Sequence, residues 1–324
     1  GVALDGPFTH ANLTVYVVRG ATADTRDYIT LDEGLAAGSV SVRERGTPAG
    51  EDRAEVNLLE IENRSDKWLF LQAGDIVKGG KQDRTFTTDL ILEPGSGPQP
   101  IEAFCVERGR WTPRGDGLAF RNSPGIAASA PLKRAIQSER SQQRVWQEVA
   151  NAETRAVSAA RAAGAAIPAE ARLSSTGTYN AIVEDKNLSS SRDGYVTALL
   201  PRLRRHPNAI GLAVAINGHV TAADVYGSPA LFKQLTKKLL SSYALEAVLA
   251  LGTSTQVTAP TAQQVLAFLS KPAAVRPATE PIGRLMQRST RESEELVMYE
   301  YARFGQTATA KPGAVVVHQS YLKK

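Results

Sequence analysis

Ala209-Ile210-Gly211-Leu212-Ala213-Val214-Ala215-Ile216, Asn217-Gly218, and after His219 the run Val220-Thr221-Ala222-Ala223-Asp224-Val225-Tyr226 form the stretch that decides the fold. Two apolar, β-rich runs flank Asn-Gly, the dipeptide that most readily supplies two positive φ angles in a row. A β-hairpin is therefore expected deep in the second half of the chain. Around it the pattern turns helical. Asp193 to Arg205 and Pro229 to Ser241 read as helices on either side, and Thr261 to Leu269 as another with its start near Thr261 or Pro260. Strands return at about Glu294 to Phe304 and Ala314 to Gln319. The second half is thus mixed.

The first 111 residues read mainly as strands. Leu13 to Val18 is β-branched and aromatic; Ser39 to Arg45 alternates Val40 and Val42 with Ser41 and Arg43. Val56 to Glu62, Trp68 to Leu71, Phe86 to Leu92 and Ile101 to Val106 continue the series, separated by turn residues such as Asn63-Arg64-Ser65-Asp66 and Pro94-Gly95-Ser96-Gly97-Pro98. Leu31 to Ala37 reads as a short helix closed by Gly38. Residues 112–128 are rich in proline and glycine and read as loop. One long helix is then expected from Pro131 to Ala163, with Leu132, Ile136, Val145, Val149, Ala156 and Ala160 on its apolar stripe. The fold class that follows is α+β. A β-rich N-terminal half, an antiparallel sandwich or barrel-like sheet, precedes the long helix and a mixed C-terminal half. No long polar linker divides the chain. The expectation is a single unit, 1–324, with sub-regions 1–111, 112–130 and 131–324.

The bulk numbers narrow the class. The 324 residues are 42% hydrophobic and 22% charged, the profile of a soluble globular protein. No run approaches the roughly 18 apolar residues of a membrane span. The formal charge of +5 is modest, Lys and Arg are scattered, and aromatics are 6%, so no basic stripe marks a nucleic-acid binder. Cys105 is the single cysteine, which excludes an internal disulfide. The chain opens Gly1-Val2-Ala3 without an initiator Met, which leans the compartment towards export. His10, His206, His219 and His318 lie far apart without metal-ligand spacing. Ser320-Tyr321-Leu322-Lys323 matches a Ser-x-x-Lys spacing, read as chance at a fraying end.

Two segments carry possible chemistry. Gly79-Gly80-Lys81-Gln82-Asp83-Arg84 puts two glycines, whose exposed N–H groups can cradle an anion, beside cationic side chains. It lacks the spacing and the Ser/Thr of a Walker loop. In Phe104-Cys105-Val106-Glu107-Arg108-Gly109-Arg110-Trp111, alternation puts Ile101, Ala103, Cys105 and Glu107 on one face. Glu107 is the candidate for proton transfer. Lys81, Gln82, Arg84 and Arg110 are candidates to hold a carboxylate or phosphate, and Trp111 to stack on a base. Cys105, flanked by apolar residues, reads as a core thiol. Glu60 and Glu62 read as an exposed strand end, and Asp75 as a residue bonded within its own turn.

Four segments resemble a bacterial domain family. They are Asn12-Leu13-Thr14-Val15-Tyr16, Gly74-Asp75 with Gly79 to Arg84, Cys105 to Trp111, and Gln143-Arg144-Val145-Trp146; the likeness extends into Gly211 to Tyr226. The family is named for its association with ADP-ribosylglycohydrolases and rhodanese-phosphatase-superfamily proteins. Asp75 stands where the family pattern has Glu. The resemblance implies no settled activity; it implies, by association, a link with ADP-ribose or related nucleotide chemistry.

Two functions follow as expectations. In the first, the 79–84 turn and the 105–111 strand end build a cleft that binds or processes a small anionic, nucleotide-derived ligand. In the second, the protein is a non-catalytic structural or interaction protein, for which export is an option, and the same residues form a bracing polar network. Whether the chain is an enzyme stays open. The sequence specifies no cofactor, protein partner or oligomeric state.

Overall fold

The structure is a computed structural model that describes residues 1–45, 57–110, 119–162, 177–251, 257–304 and 313–324. Expectations for Val56, for Trp111 and residues 112–118, and for the helix end at Ala163 fall outside the described residues. The N-terminal elements are β1 (Ala3–His10), β2 (Leu13–Arg19), β3 (Tyr28–Thr30), α1 (Leu31–Ala36), β4 (Val40–Glu44), β5 (Leu58–Asn63), β6 (Trp68–Leu71), β7 (Asp75–Gly79), β8 (Arg84–Phe86), β9 (Leu90–Leu92), β10 (Gln99–Cys105) and β11 (Phe120–Ala127). Then come α2 (Ala130–Arg134), α3 (Gln142–Ala162), α4 (Tyr179–Glu184), α5 (Lys186–Leu203), β12 (Ala209–Ile216), β13 (His219–Tyr226), α6 (Pro229–Leu249) and α7 (Ala262–Ser270). The chain closes with β14 (Ala278–Ile282), β15 (Met286–Glu292), β16 (Leu296–Phe304) and β17 (Ala314–Lys323). The class is α+β. The sequence reading treats the chain as one unit; its residues cluster into two compact ones, Gly1–Asp27 with Asp193–Lys324, and Tyr28–Arg192.

In the first unit the hairpin sits inside an eight-stranded antiparallel sheet of order β1-β2-β12-β13-β17-β16-β15-β14. Asn217 (φ 51°) and Gly218 (φ 79°) supply the two left-handed turn residues. Leu13 to Val18 is apolar throughout except Thr14 because both faces of β2 are buried. On one face α7 packs Val265 and Phe268 over Tyr16, Ala213, Ala223, Val225 and Tyr321. Its start is set by a capping box between Thr261 and Gln264. On the opposite face lies α6, which begins at Pro229 after the Ser228 cap and runs well past the expected Ser241. Here alternation places a polar cluster. Asp224 accepts a bond from the Tyr243 hydroxyl of α6 and pairs with His318 Nε2 at 3.1 Å, while the His318 ring stacks on Tyr226 at 4.4 Å.

In the second unit a six-stranded sheet, β11-β7-β8-β10-β5-β4, and a three-stranded sheet, β3-β6-β9, share one core. Val42, Ile61, Val77, Phe86 and Ile101 of the first meet Leu69, Leu71 and Leu92 of the second.

Several expectations are corrected. Phe86 to Leu92 is two strands in different sheets, because the chain breaks at Thr87 to Asp89 and the Asp89 carboxylate accepts the Ala73 N–H at 2.8 Å. Residues 120–127 are not loop but the edge strand β11; its pairing with β7 is interrupted between Asn122 and Ala127, where Pro124 and Gly125 fall. The long helix is broken. A π-helical turn over Ala135–Glu139 ends at Arg140, which is left-handed (φ 45°). Gln142 then stands at the start of α3, and its amide accepts from Cys105 N and donates to Cys105 O, both at 2.8 Å. Ser320 to Lys323 is no fraying end: β17 is paired on both sides.

The Tyr243 hydroxyl is pushed well above its usual value, first by burial and then by the charge and bond of Asp224. The folded tyrosine keeps its proton where the unfolded one loses it. Its contribution to stability is therefore complete below about pH 10 and drains as pH rises above that. Urea unfolding of Tyr243→Phe should show a shallower alkaline loss than the parent, at a neutral-pH cost of about 1–3 kcal/mol from the donor removed from Asp224. An unchanged alkaline limb would remove Tyr243 from this role.

Candidate functional site

The second unit brings the two chemistry-bearing segments together. β8 lies between β7 and β10, with Arg84 in register with Cys105 on one side and Val77 on the other. The turn from β7 to β8 is Gly79 to Asp83. Its backbone needs glycine: Gly79 and Gly80 have φ of +144° and +49°. A Cβ on Gly80 would come within 2.7 Å of Glu44 Oε1. Beyond β10 the chain runs on through Glu107, which forms an isolated bridge with Thr178; Tyr179 N donates to Val106 O, and Arg108 N to Gly177 O. The turn, the strand end and the start of α4 thus converge.

What they build is a closed acid–arginine network. Arg110 presents its guanidinium fork to Glu107, with Nε to Oε1 at 3.0 Å and Nη2 to Oε2 at 2.6 Å. Its other donors go to the carbonyls of Gly80 (2.7 Å) and Gly79 (3.3 Å). Three of the turn's N–H groups are taken by the protein's own carboxylates. Gly79 N donates to Asp83 Oδ1 (3.1 Å), Lys81 N to Glu44 Oε1 (2.6 Å) and Asp83 N to Glu107 Oε2 (2.9 Å). Gly80 N goes to Ala119 O. Asp83 Oδ2 also accepts from Thr178 Oγ1 and Asn180 Nδ2, and Ser123 donates to the Asn180 amide oxygen. Gln82 donates to the Glu107 carbonyl at 2.9 Å.

Of the residues expected to line a cleft, five are described. Glu107 is 0% exposed, Arg84 2% and Gln82 3%, while the Arg110 side chain is 12% exposed and Lys81 is half-buried. Trp111 lies outside the described residues. Arg84 reaches Glu44 at 3.6 Å and the Gln82 carbonyl and amide oxygens at 3.3 Å; among the described residues its Nε has no partner. Burial pushes the Cys105 thiol up, against the opposing charge of Arg84, so it is held as a neutral core thiol. Glu60 and Glu62 pair on the surface with Arg43 and Arg64, and Asp75 accepts the Gln72 N–H.

Several members, Thr178 and Ser123 among them, were not singled out from the sequence. Glu44 was hidden in an alternating strand and Asp83 inside the turn motif. Asn180 gave no signal, since only the fold brings it there. The Asp224–His318–Tyr243 cluster of the first unit likewise joins residues that the sequence scatters.

The fold and network define an α+β protein whose second unit is organised around buried charges that bond one another. The chain belongs to the ARPP-1 family, the ARG and Rhodanese-Phosphatase-superfamily-associated Protein domain, which matches residues 1–322. Comparison with curated proteins and with solved structures gives no significant match.

Removing Arg110 strands the buried Glu107 charge. Arg110→Ala should lower the unfolding free energy by about 3–5 kcal/mol in urea denaturation. Glu107→Gln combined with Arg110→Ala should lose less than the sum of the two single changes, by more than about 1 kcal/mol. Additive losses would mean that the two side chains do not act as a pair.

Proposed function

We propose that this chain is a non-catalytic structural or interaction protein in which the 79–84 turn and the strand end through Arg110 form a brace. One observation carries the reading. Of the N–H groups that would cradle a foreign anion, those of Gly79, Lys81 and Asp83 are bonded to Asp83, Glu44 and Glu107 and that of Gly80 to the Ala119 carbonyl, so the turn's anions are internal. A general base needs a lone pair facing its substrate. Both Glu107 oxygens instead face Arg110, and one also receives the Asp83 N–H. The cluster's value is rigidity: a buried network bonded across the turn, the strand end and the start of α4 holds one geometry, and breaking one of its bonds is costly.

The competing reading is a small anionic, ADP-ribose-like ligand held by Lys81, Gln82, Arg84 and Arg110. Lys81, half-buried like Arg110 but outside the Glu107 pair, separates the two. Calorimetric titration with ADP-ribose should give either no heat or heat unaltered by Lys81→Ala. Binding that disappears in Lys81→Ala, with the unfolding curve unchanged, would contradict the brace and favour the ligand.

A further inference from the structure

Between α7, the β12–β13 turn and the adjoining ends of β16 and β17 lies a cleft of about 290 Å³. Val220, Pro260, Phe268 and Leu296 make its apolar wall. Phe268 and Leu296 belong to the core beneath α7, so this wall is fixed by packing rather than formed on demand. Pro260 is held too, because its carbonyl accepts the buried Tyr16 hydroxyl.

The polar lining is cationic in balance. His219, Lys271 and Lys323 line the cleft with one acid, Glu295. Lys271 bonds to Glu295, and the Glu295 carboxyl is held below its usual value first by that bond and the charge of Lys271, and further by Lys323. Two ammonium groups therefore bear on a single carboxylate. Gln264 adds a neutral donor: its side-chain oxygen accepts from Thr261 N at 2.7 Å in the helix cap, and its amide nitrogen, which bonds to none of the described residues, stands at the lining.

A firm apolar wall with a few convergent polar groups is the ordinary make-up of a small-molecule site, and this volume is at the small end of the usual ~300–1,000 Å³. We infer that the cleft binds a small organic anion, with a flat apolar body against Phe268 and Leu296 and a carboxylate or phosphate met by Lys271 and Lys323. A single ring with one acidic group fits such a volume; a dinucleotide does not. The cleft shares no residue with the acid–arginine brace, so each reading stands if the other fails.

The test uses the full chain with phenyl phosphate and benzoate as probes, followed by calorimetry and by amide chemical shifts. At least one probe should bind with a dissociation constant below about 1 mM. It should shift the amides of Val220, Gln264 and Leu296. Inorganic phosphate and benzyl alcohol, each carrying half of the chemistry, should bind at least about tenfold more weakly. Lys271→Ala with Lys323→Ala, both exposed positions, should weaken the binding probe about tenfold or more and leave the melting temperature within a few degrees. The inference is overturned if neither probe binds or if the shifts fall elsewhere. It is equally overturned if inorganic phosphate binds as tightly as the ringed acids, or if the lysine pair makes no difference.

Discussion

The second unit depends on a glycine turn that is charged from within. Gly79, Lys81 and Asp83 point three backbone N–H groups at Asp83, Glu44 and Glu107. Arg110 then spans the same turn by bonding its carbonyls and the Glu107 carboxylate together. Each partner has a strong reason to stay. A buried carboxylate without donors is far too costly to keep charged, and a buried N–H without an acceptor costs about 1–3 kcal/mol. The geometry answers both at once. It also fixes the neighbours, because Asp83 ties in Thr178 and Asn180, which open α4.

The same logic separates appearance from chemistry. Two glycines beside lysine and arginine look like an anion cradle when read along the chain, because two of the three carboxylates that fill it are distant in sequence. Glu44 lies 37 residues before Lys81, and Glu107 lies 24 after Asp83. The first unit repeats the theme on a smaller scale: Asp224 is buried on a strand, and its acceptor capacity is met by Tyr243 from a helix and His318 two strand positions away.

Much of the architecture was legible. The Asn217-Gly218 hairpin, the Leu13 to Val18 strand, the Thr261-capped helix and the α+β class all follow from local chemistry that tertiary packing reinforces. What was not legible has physical causes. The expected 131–163 helix carries an apolar stripe through its break, and nothing local marks Arg140 as left-handed. β8 and β9 share a continuous strand-like composition, yet Asp89 is drawn away to cap Ala73. β11 contains a proline and a glycine that read as loop because the tolerance of an edge strand is a property of the sheet. At the site, Glu107, Arg110 and Gln82 were singled out as candidates for proton transfer and anion contact, and the fold brings them together. Their burial was not legible, since alternation gives a face and does not say what covers it. Membership of the ARPP-1 family covers nearly the whole chain and carries no activity with it.

Native-state hydrogen exchange of individual amides tests the internal-anion account most directly. If Glu44, Asp83 and Glu107 hold the turn, the N–H groups of Lys81, Gly79 and Asp83 exchange as slowly as that of Val106, which bonds the Asp83 carbonyl. Fast exchange at those three amides, with Val106 still protected, would mean that the turn is open and its donors are available to something else.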